Sequence, residues 1–454
     1  MLKKFTHGCV QIMSRYMPEP FIFAVALSII VFIAALFATD LGPVGLIMAW
    51  GGNDGFWGLL SFSMQMALVL VFGSAMAEAP ICKRALGSIA GLAHSKRSAI
   101  MITTLVSLVC CWLNWGFGLV VGALLAKEIA RRVRDVDYRL LIASAYSGFV
   151  IWHAGISGSI PLSMVEGKTF DGVFYQAGLN ESIFHPVNLA IILVILIVLP
   201  LVNYSMHPDE EHTFHVDPSL LTEEQERVYT KNTPAEKLEH SKILLFLTCA
   251  AGIAFVIVYF IRQGKANISV GNSLTLNLVN FILLFLGLIL HGDLRRYVDA
   301  IGDATRGAAG ILLQFPFYAG IMGMMTTAGS NGVSLAGVIS DFFVSISGPV
   351  TFPLLAFLSG GLVNMFVPSG GGQWAVQGPI VMKAAQELGV NYGLSVTALA
   401  WGDAWTNMIQ PFWALPALAI AKLSARDIMG FLVTVLLVTG IIIALGLTIW
   451  AIIL

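Results

Sequence analysis

Long apolar runs alternate with short charged segments along the whole chain. A helix needs about 20 apolar residues to cross a bilayer. By that measure the pattern predicts crossings at 20–39, 56–78, 139–165, 186–206, 242–261, 275–292, 307–327, 394–422 and 428–452. Two further apolar regions, 98–126 and 349–382, do not read as single crossings. The first holds N-W-G-F-G (Asn114 to Gly118) at its centre, and the second holds V-P-S-G-G-G-Q (Val367 to Gln373). A continuous helix avoids such Gly- and Pro-rich stretches. The Ser334–Ile346 segment predicts an interfacial helix with Asp341 on its wet face.

Positive charge decides how these runs lie. Lys83, Arg84, Lys96 and Arg97 precede the first irregular region, and Lys127, Arg131, Arg132, Arg134 and Arg139 follow it. A single crossing would place one cluster outside, against the positive-inside rule. A re-entrant hairpin keeps both inside, and it allows non-helical backbone at membrane depth where protein or water surrounds it. The second region has only Lys383 nearby and reads as a hairpin from the opposite side, with a kinked crossing as the alternative. With both hairpins, 21 of the 25 Lys and Arg fall on one side and four (Lys168, Arg262, Lys265, Lys383) on the other. The N-terminus is then cytoplasmic and the C-terminus outside. The apolar run from Phe21 to Ala38 exceeds the ~7–15 residues of a signal-peptide core, so it reads as a retained span.

The order span, span, hairpin, broken span, span recurs in 20–206 and 275–452, and it starts from opposite sides. The expected fold is an all-α polytopic membrane protein with about nine crossings, two re-entrant hairpins and two discontinuous helices. Its units are a first repeat over 1–206, a loop and linking helix over 207–274, and an inverted second repeat over 275–454. Gln65 and Gln314 echo each other in the second spans, as Asn114 and Asn364 do at the two hairpins. Interrupted helices in inverted repeats are a signature of secondary transporters.

Composition agrees: 57% of residues are hydrophobic and 11% charged, against about 25% charged in soluble domains. The net charge of −1 excludes a nucleic-acid partner as an expectation. The five Cys show no C-x-x-C spacing, and no phosphate-binding G-x-x-x-x-G-K-[ST] occurs. His207, His212 and His215 lie near Asp209, Glu210 and Glu211; a metal site is one reading and a solvated loop the other. No nucleophile–base pair or H-E-x-x-H marks an intramembrane enzyme.

Each hairpin is followed by a long apolar helix with a polar interruption: I-W-H-A-G-I-S-G-S-I-P (Ile151 to Pro161) and W-G-D-A-W-T-N-M-I-Q-P (Trp401 to Pro411). Four polar breaks are expected to converge. A helix restarting after a break offers free N–H groups to an anion, and the one ending before it offers carbonyls to a cation. The expected substrate-binding residues are Asn114, Trp115, Gly116, Gly118, His153, Ser157, Gly158, Ser159, Ser369, Gly370, Gly371, Gly372, Gln373, Thr406, Asn407 and Gln410. No Lys or Arg lies inside a predicted span, only at the ends (Arg139, Lys242, Lys422), so these groups would have to hold a small organic anion unaided. Asp403 is the one carboxylate deep within a predicted span and an expected coupling residue, with Asn114, Asn364 and Asn407 beside it. The coupling ion would be Na⁺ or H⁺, and no cofactor is expected. His153, at the corresponding depth of the other broken helix, reads as a proton carrier, a pocket donor, or a neutral ring bonded to a backbone carbonyl. Trp115, Phe117, Trp152, Phe366, Trp374, Trp405, Phe412 and Trp413 would wall an acyl tail or simply pack.

At these motifs the chain resembles the short-chain fatty acid transporter (AtoE-type) family, part of a broader ion-transporter superfamily. The resembling strings are L-N-W-G-F-G-L-V-V-G-A (Leu113 to Ala123), L-L-Q-F-P-F-Y-A-G-I (Leu312 to Ile321), V-P-S-G-G-G-Q-W (Val367 to Trp374) and Q-P-F-W-A-L-P-A-L-A-I-A (Gln410 to Ala421). The resemblance covers essentially the whole chain. It implies uptake of short-chain monocarboxylates such as acetoacetate or butyrate across a bacterial inner membrane, by a homodimer of elevator type. His153 stands where the family pattern carries a small residue, and Asp403 where it carries Glu. A dicarboxylate carrier on the same fold and a small-acid channel are the rival readings; the lack of any cationic residue for a second carboxylate favours a monoanion.

Overall fold

The computed structural model describes residues 20–454 apart from 54, 171, 218–220, 222–228, 269, 366–368 and 411. In the first half, helices Pro20–Ala38, Gly42–Gly51, Leu60–Ala77 and Pro80–Ala90 precede a helix pair, Lys96–Leu113 and Trp115–Arg132, joined at Asn114. A broken helix follows, then helix Pro186–Ser205. The second half runs Leu276–His291, Leu294–Thr305, Ala309–Thr326 and Leu335–Ile346, then Phe352–Asn364 and Gly370–Leu388, a second broken helix, and Ala425–Ile453. Helix Lys242–Lys265 links the halves.

Seven helical segments among the described residues are long and apolar enough to cross a membrane. Their surroundings separate lining from core. In the most apolar window of the linking helix only 11% of residues are buried, and Ile243, Phe246, Leu247, Ile253 and Ile257 point outward. An apolar face of this extent on a water-soluble monomer would drive aggregation; in a bilayer it meets lipid. The Tyr138–Val165 window is 94% buried and occupies the interior.

Three short helices, 42–51, 80–90 and 294–305, were not among the elements expected from hydropathy. They are too short or too polar on one face to register as spans, and local signals start them. Pro80 is pre-set for a first helical turn, and the Asp293 side chain caps Leu294–Thr305 by accepting from the Arg296 N–H at 3.2 Å. A two-stranded hairpin, Lys168–Phe170 with Val173–Tyr175, is likewise an addition to the expected elements. The second crossing begins at Leu60 rather than 56, because turns occupy the residues before it.

The halves pack by exchange. Pro20–Ala38 lies against Ala309–Thr326, and Leu276–His291 lies against Leu60–Ala77, each first helix pairing with the other half's second long helix. Gly42–Gly51 touches Ala309–Thr326, and Leu294–Thr305 touches Leu60–Ala77. Trp115–Arg132 packs on Leu60–Ala77 as Gly370–Leu388 packs on Ala309–Thr326. One difference stands out: Lys96–Leu113 packs closely along its own hairpin partner, whereas Phe352–Asn364 runs chiefly along Tyr392–Thr406.

The expected inside segments gather at one end. Lys96 pairs with Glu210 at 3.4 Å, Arg131 donates to the Leu221 carbonyl at 2.6 Å, and His215 donates from Nδ1 to the Arg134 carbonyl at 3.0 Å. Buried Asp137 accepts from the Leu140 and Phe214 N–H groups at 2.9 and 2.8 Å, so the 207–217 strand of the loop is docked, not free in solvent. Among the described residues no group of His, Cys, Asp and Glu is arranged to hold a metal. His207 instead accepts the Asp137 N–H at Nε2, 3.1 Å away. At the same end, the Asp293 carboxyl contacts His240 Nδ1 at 2.8 Å. Burial raises its proton affinity, but the His240 and Arg296 hydrogen bonds outweigh this and hold it below the usual carboxylate range. At the other end, Tyr175 donates to Gln386 at 2.9 Å and Lys383 lies 3.5 Å from Asp341.

Candidate substrate and coupling site

Asn114 and Ser369 are extended residues whose side chains each cap the helix that follows. Asn114 (φ −154°) accepts the Phe117 N–H at 2.7 Å, and Ser369 (φ −157°) accepts the Gly372 N–H at 3.4 Å. Such caps are worth about 1 kcal/mol, and Asn114 also ends the helix before it. Ser369 opens a 19-residue helix whose first turn is Gly370, Gly371 and Gly372. Val367, Pro368 and Phe366 of the expected second tip lie outside the described residues, as do Pro411 and the side chain of Phe412.

The first broken helix unwinds earlier than expected. Helix Tyr138–Ser147 passes into a 3₁₀ segment, Gly148–Ala154, before the chain restarts at Ser159–Val165. Gly148 sets this start: a Cβ there would lie 2.4 Å from Ser107 Oγ and 2.6 Å from the Leu108 nitrogen. The close approach to the hairpin arm is open only to glycine. The second broken helix follows expectation, with Tyr392–Thr406, an interruption beginning at Asn407, and Leu415–Ala421.

Each hairpin docks on its own half's break. The Trp115 N–H donates to Ser157 Oγ at 3.0 Å, and the Ile156 N–H donates to the Trp112 carbonyl at 2.8 Å. In the second half, Asn364 Nδ2 donates to Thr406 Oγ1 at 2.9 Å and reaches Asn407 Oδ1 at 3.5 Å. Thr406 Oγ1 in turn donates to the Gly361 carbonyl at 2.9 Å. Gln410 is buried, and its N–H donates to the Thr406 carbonyl at 3.1 Å.

The two halves meet at His153. Its Nδ1 lies 3.0 Å from the Ala400 carbonyl and 3.2 Å from Asp403 Oδ1, and its Nε2 lies 2.9 Å from Ser159 Oγ. Gly370 closes the other side, where a Cβ would stand 2.2 Å from His153 Cε1 and 2.8 Å from Ser159 Oγ. Tyr146, seven residues before His153, adds a second bridge by donating from its hydroxyl to the Asn407 carbonyl at 2.9 Å. Nothing in the sequence pointed to Tyr146, since a lone Tyr in an apolar helix carries little signal; a backbone carbonyl on the His153 ring was one of the three readings of that residue, but which carbonyl was not legible. The Asp403 carboxylate takes no hydrogen bond from the neighbouring Asn or Trp side chains. Asn407 Nδ2 serves the Asp403 backbone carbonyl at 2.9 Å, Trp405 serves the Leu436 carbonyl, and Trp401 serves Asn188.

Some expected site residues serve packing in this arrangement. The Cβ positions of Gly116 and Gly118 are filled by Leu70 and Cys111, those of Gly371 and Gly372 by Phe62 and Tyr318, and that of Gly158 by the His153 carbonyl. Gln373 Nε2 is spent on the Gly360 carbonyl and on Gln377 Oε1, both at 2.8 Å. Trp115, Trp152 and Trp413 form one cluster with Phe149, while Trp374 meets Phe170 of the β-hairpin and Trp405 meets Phe357.

Buried polar atoms without a hydrogen-bond partner concentrate here: Asn114 Nδ2, Trp115 Nε1, Trp152 Nε1, Trp374 Nε1, Asn364 Oδ1, Gln373 Oε1 and both Asp403 oxygens. Leaving such atoms unpaired costs about 1–3 kcal/mol each, and more for a charge. Four of them are N–H donors, suited to an anion, and four are oxygens, suited to a cation or a proton.

A helical membrane protein with paired broken helices and a buried layer of unspent donors defines a multi-pass membrane transporter. Residues 1–450 match the short chain fatty acid transporter family, and the chain belongs to that family. It is 42% identical over 454 residues to a protein of Escherichia coli (strain K12) provisionally named short-chain fatty acid transporter, covering 99% of this chain and all of the relative. A similarly named protein of Haemophilus influenzae Rd is also 42% identical, over 461 residues, with 98% and 99% of the two chains covered. In fold, the chain resembles the crystal structure of the Alcanivorax borkumensis YdaH transporter, described as having an unusual topology. That match has a TM-score of 0.58 and 15% identity, and covers 96% and 98% of the two chains.

Proposed function

We propose that this protein is a secondary carrier taking up short-chain monocarboxylates, of the acetoacetate and butyrate class, across the bacterial inner membrane. Uptake is coupled to a cation or a proton and proceeds by elevator-type alternating access, in a homodimer as in the superfamily it resembles. The observation that carries this reading is the layer of unspent buried donors at the breaks, with no Lys or Arg among the described residues on those breaks. A single carboxylate matches such a layer, whereas a second one would lie buried without a counter-charge. The aromatic cluster around Trp115 and Trp152 supplies an apolar wall for a short acyl tail.

The exchange packing of the halves supports an inverted repeat, with 1–206 and 275–454 as its copies and 207–274 as the linker. In this reading the hairpins 98–126 and 349–382 and the broken helices 139–165 and 394–422 form the moving unit. Both ends of the first hairpin reach the same loop, at Glu210 and at Leu221, which supports re-entry from one side.

Two experiments test the proposal. Purified protein in liposomes is expected to take up labelled butyrate saturably, to show counterflow, and to respond to imposed Na⁺ or H⁺ gradients. Flux that stays linear with concentration and shows no counterflow would make the protein a channel. Single cysteines replacing Lys96 and Glu128 are both expected to label from the cytoplasm, and those replacing Ser347 and Gln386 both from outside. Opposite labelling of either pair would remove that hairpin and the inverted repeat with it.

A further inference from the structure

We infer that His153 and Asp403 together bind the single transported proton, and that proton loading switches the Ser159 hydroxyl from His153 to the substrate carboxylate. The inference rests on the carrier reading above and names its coupling group. His153 and Asp403 hold the third position in the two interruption motifs, I-W-H-A and W-G-D-A, so they are counterparts in the two halves. Both are fully buried, and they meet at 3.2 Å.

The hydrogen-bond polarity follows from the partners. The Ala400 carbonyl can only accept, so the neutral imidazole carries its proton on Nδ1. Its Nε2 is then a lone pair, and the Ser159 hydroxyl must donate to it. In that state Asp403 is a carboxylate, and the pair bears one negative charge inside the site. An approaching anion meets that repulsion and finds the Ser159 proton already used.

Adding one proton reverses both conditions. The proton goes to Nε2, so the imidazolium faces the Asp403 carboxylate and the pair is neutral. On the imidazolium, Nε2–H donates to Ser159 Oγ, which frees the hydroxyl hydrogen for the substrate. Gly370, pressed against the ring, opens the Gly370–Leu388 helix, so the backbone donors of its first turn stand beside Ser159. The proton enters from water on the outer side with the anion and leaves to water inside, so one proton and one monocarboxylate move per cycle without net charge.

The groups that face the pair are few. Tyr146 lies nearby but donates to the Asn407 carbonyl, and Cys111 is a buried thiol 3.9 Å from Ser107 Oγ. The charged residues of the packed elements, Lys96, Arg97, Lys127, Glu128, Arg131, Arg132, Arg139, Glu181, Lys383, Glu387, Arg426 and Asp427, stand toward the ends of their elements, away from the pair. Tyr138, Tyr204 and Tyr392 lie at similar ends. Asp403 is therefore the charge that meets His153.

Butyrate binding to detergent-purified protein, followed with a pH-indicator dye in weak buffer, is the test. The wild type is expected to take up close to one proton per butyrate bound, and its affinity to fall about tenfold per pH unit on the alkaline side. His153→Asn, which keeps a donor for the Ala400 carbonyl, is expected to bind with no proton uptake and a flat pH profile. Butyrate binding by the wild type without proton uptake overturns the proposal, as does undiminished uptake in His153→Asn. The wild-type measurement decides even if the variant does not fold. Counterflow without proton uptake would sink this inference and leave the carrier reading standing; absence of wild-type counterflow would sink the carrier reading.

Discussion

Asp403→Asn is expected to abolish accumulation of butyrate against its gradient. With one coupled proton, a pH difference of one unit supports about tenfold accumulation at equilibrium, since each tenfold ratio corresponds to ~1.4 kcal/mol. In the variant the inside-to-outside ratio should fall to ~1. Asparagine is nearly isosteric, so packing against the His153 ring survives, and its amide oxygen can still face Nδ1. What disappears is the counter-charge. A lone imidazolium in this fully buried layer would lack compensation, so the ring stays neutral and no proton travels. Exchange of labelled for unlabelled butyrate should persist at a reduced rate, because it requires no net proton movement. Flow measured in proteoliposomes with an imposed pH gradient separates the two activities. If Asp403→Asn accumulates butyrate as the wild type does, Asp403 is structural and coupling lies elsewhere.

Gly370→Ala should cut uptake about 100-fold while leaving the protein in the membrane. The new methyl would stand 2.2 Å from His153 Cε1 and 2.3 Å from Nε2, well inside contact distance. The ring cannot swing freely, since it is held by the Ala400 carbonyl on one side and stacked on Trp152 on the other. The Gly370–Leu388 helix must therefore retreat. Overpacking of this kind costs about 1–3 kcal/mol of stability. A shift of ~1 Å in a binding constellation costs on the order of 100-fold in rate. Gly302→Ala serves as the control: its Cβ would meet nothing within 4 Å. Uptake by Gly370→Ala within a few-fold of wild type would show that the contact yields and that the helix start is not held against His153.

The sequence by itself determined the class of protein and most of the long helices. Lipid imposes a length and a uniform apolar character on each crossing, so Leu60–Ala77, Pro186–Ser205 and Ala425–Ile453 stood out from composition alone. The interruptions were equally legible, because Asn114, Ser369 and Asn407 are residues that stop or start helices and few other causes place them in apolar runs. Local rules fix local outcomes.

Contacts between distant segments followed no such rule. The early unwinding at Gly148 depends on the backbone of residues 107 and 108, about 40 positions away, and no periodicity encodes it. The short helices 42–51 and 294–305 settle against the other half's helices, a partnership that hydropathy cannot express. Several glycines expected at a binding site turned out to admit Leu70, Cys111, Phe62 and Tyr318. Most of all, His153 and Asp403 were singled out separately, with nothing in the sequence to join them. Only folding the two halves against each other put the Asp403 carboxylate beside an imidazole 250 residues away, because that proximity arises from packing between the halves and not from spacing within either one.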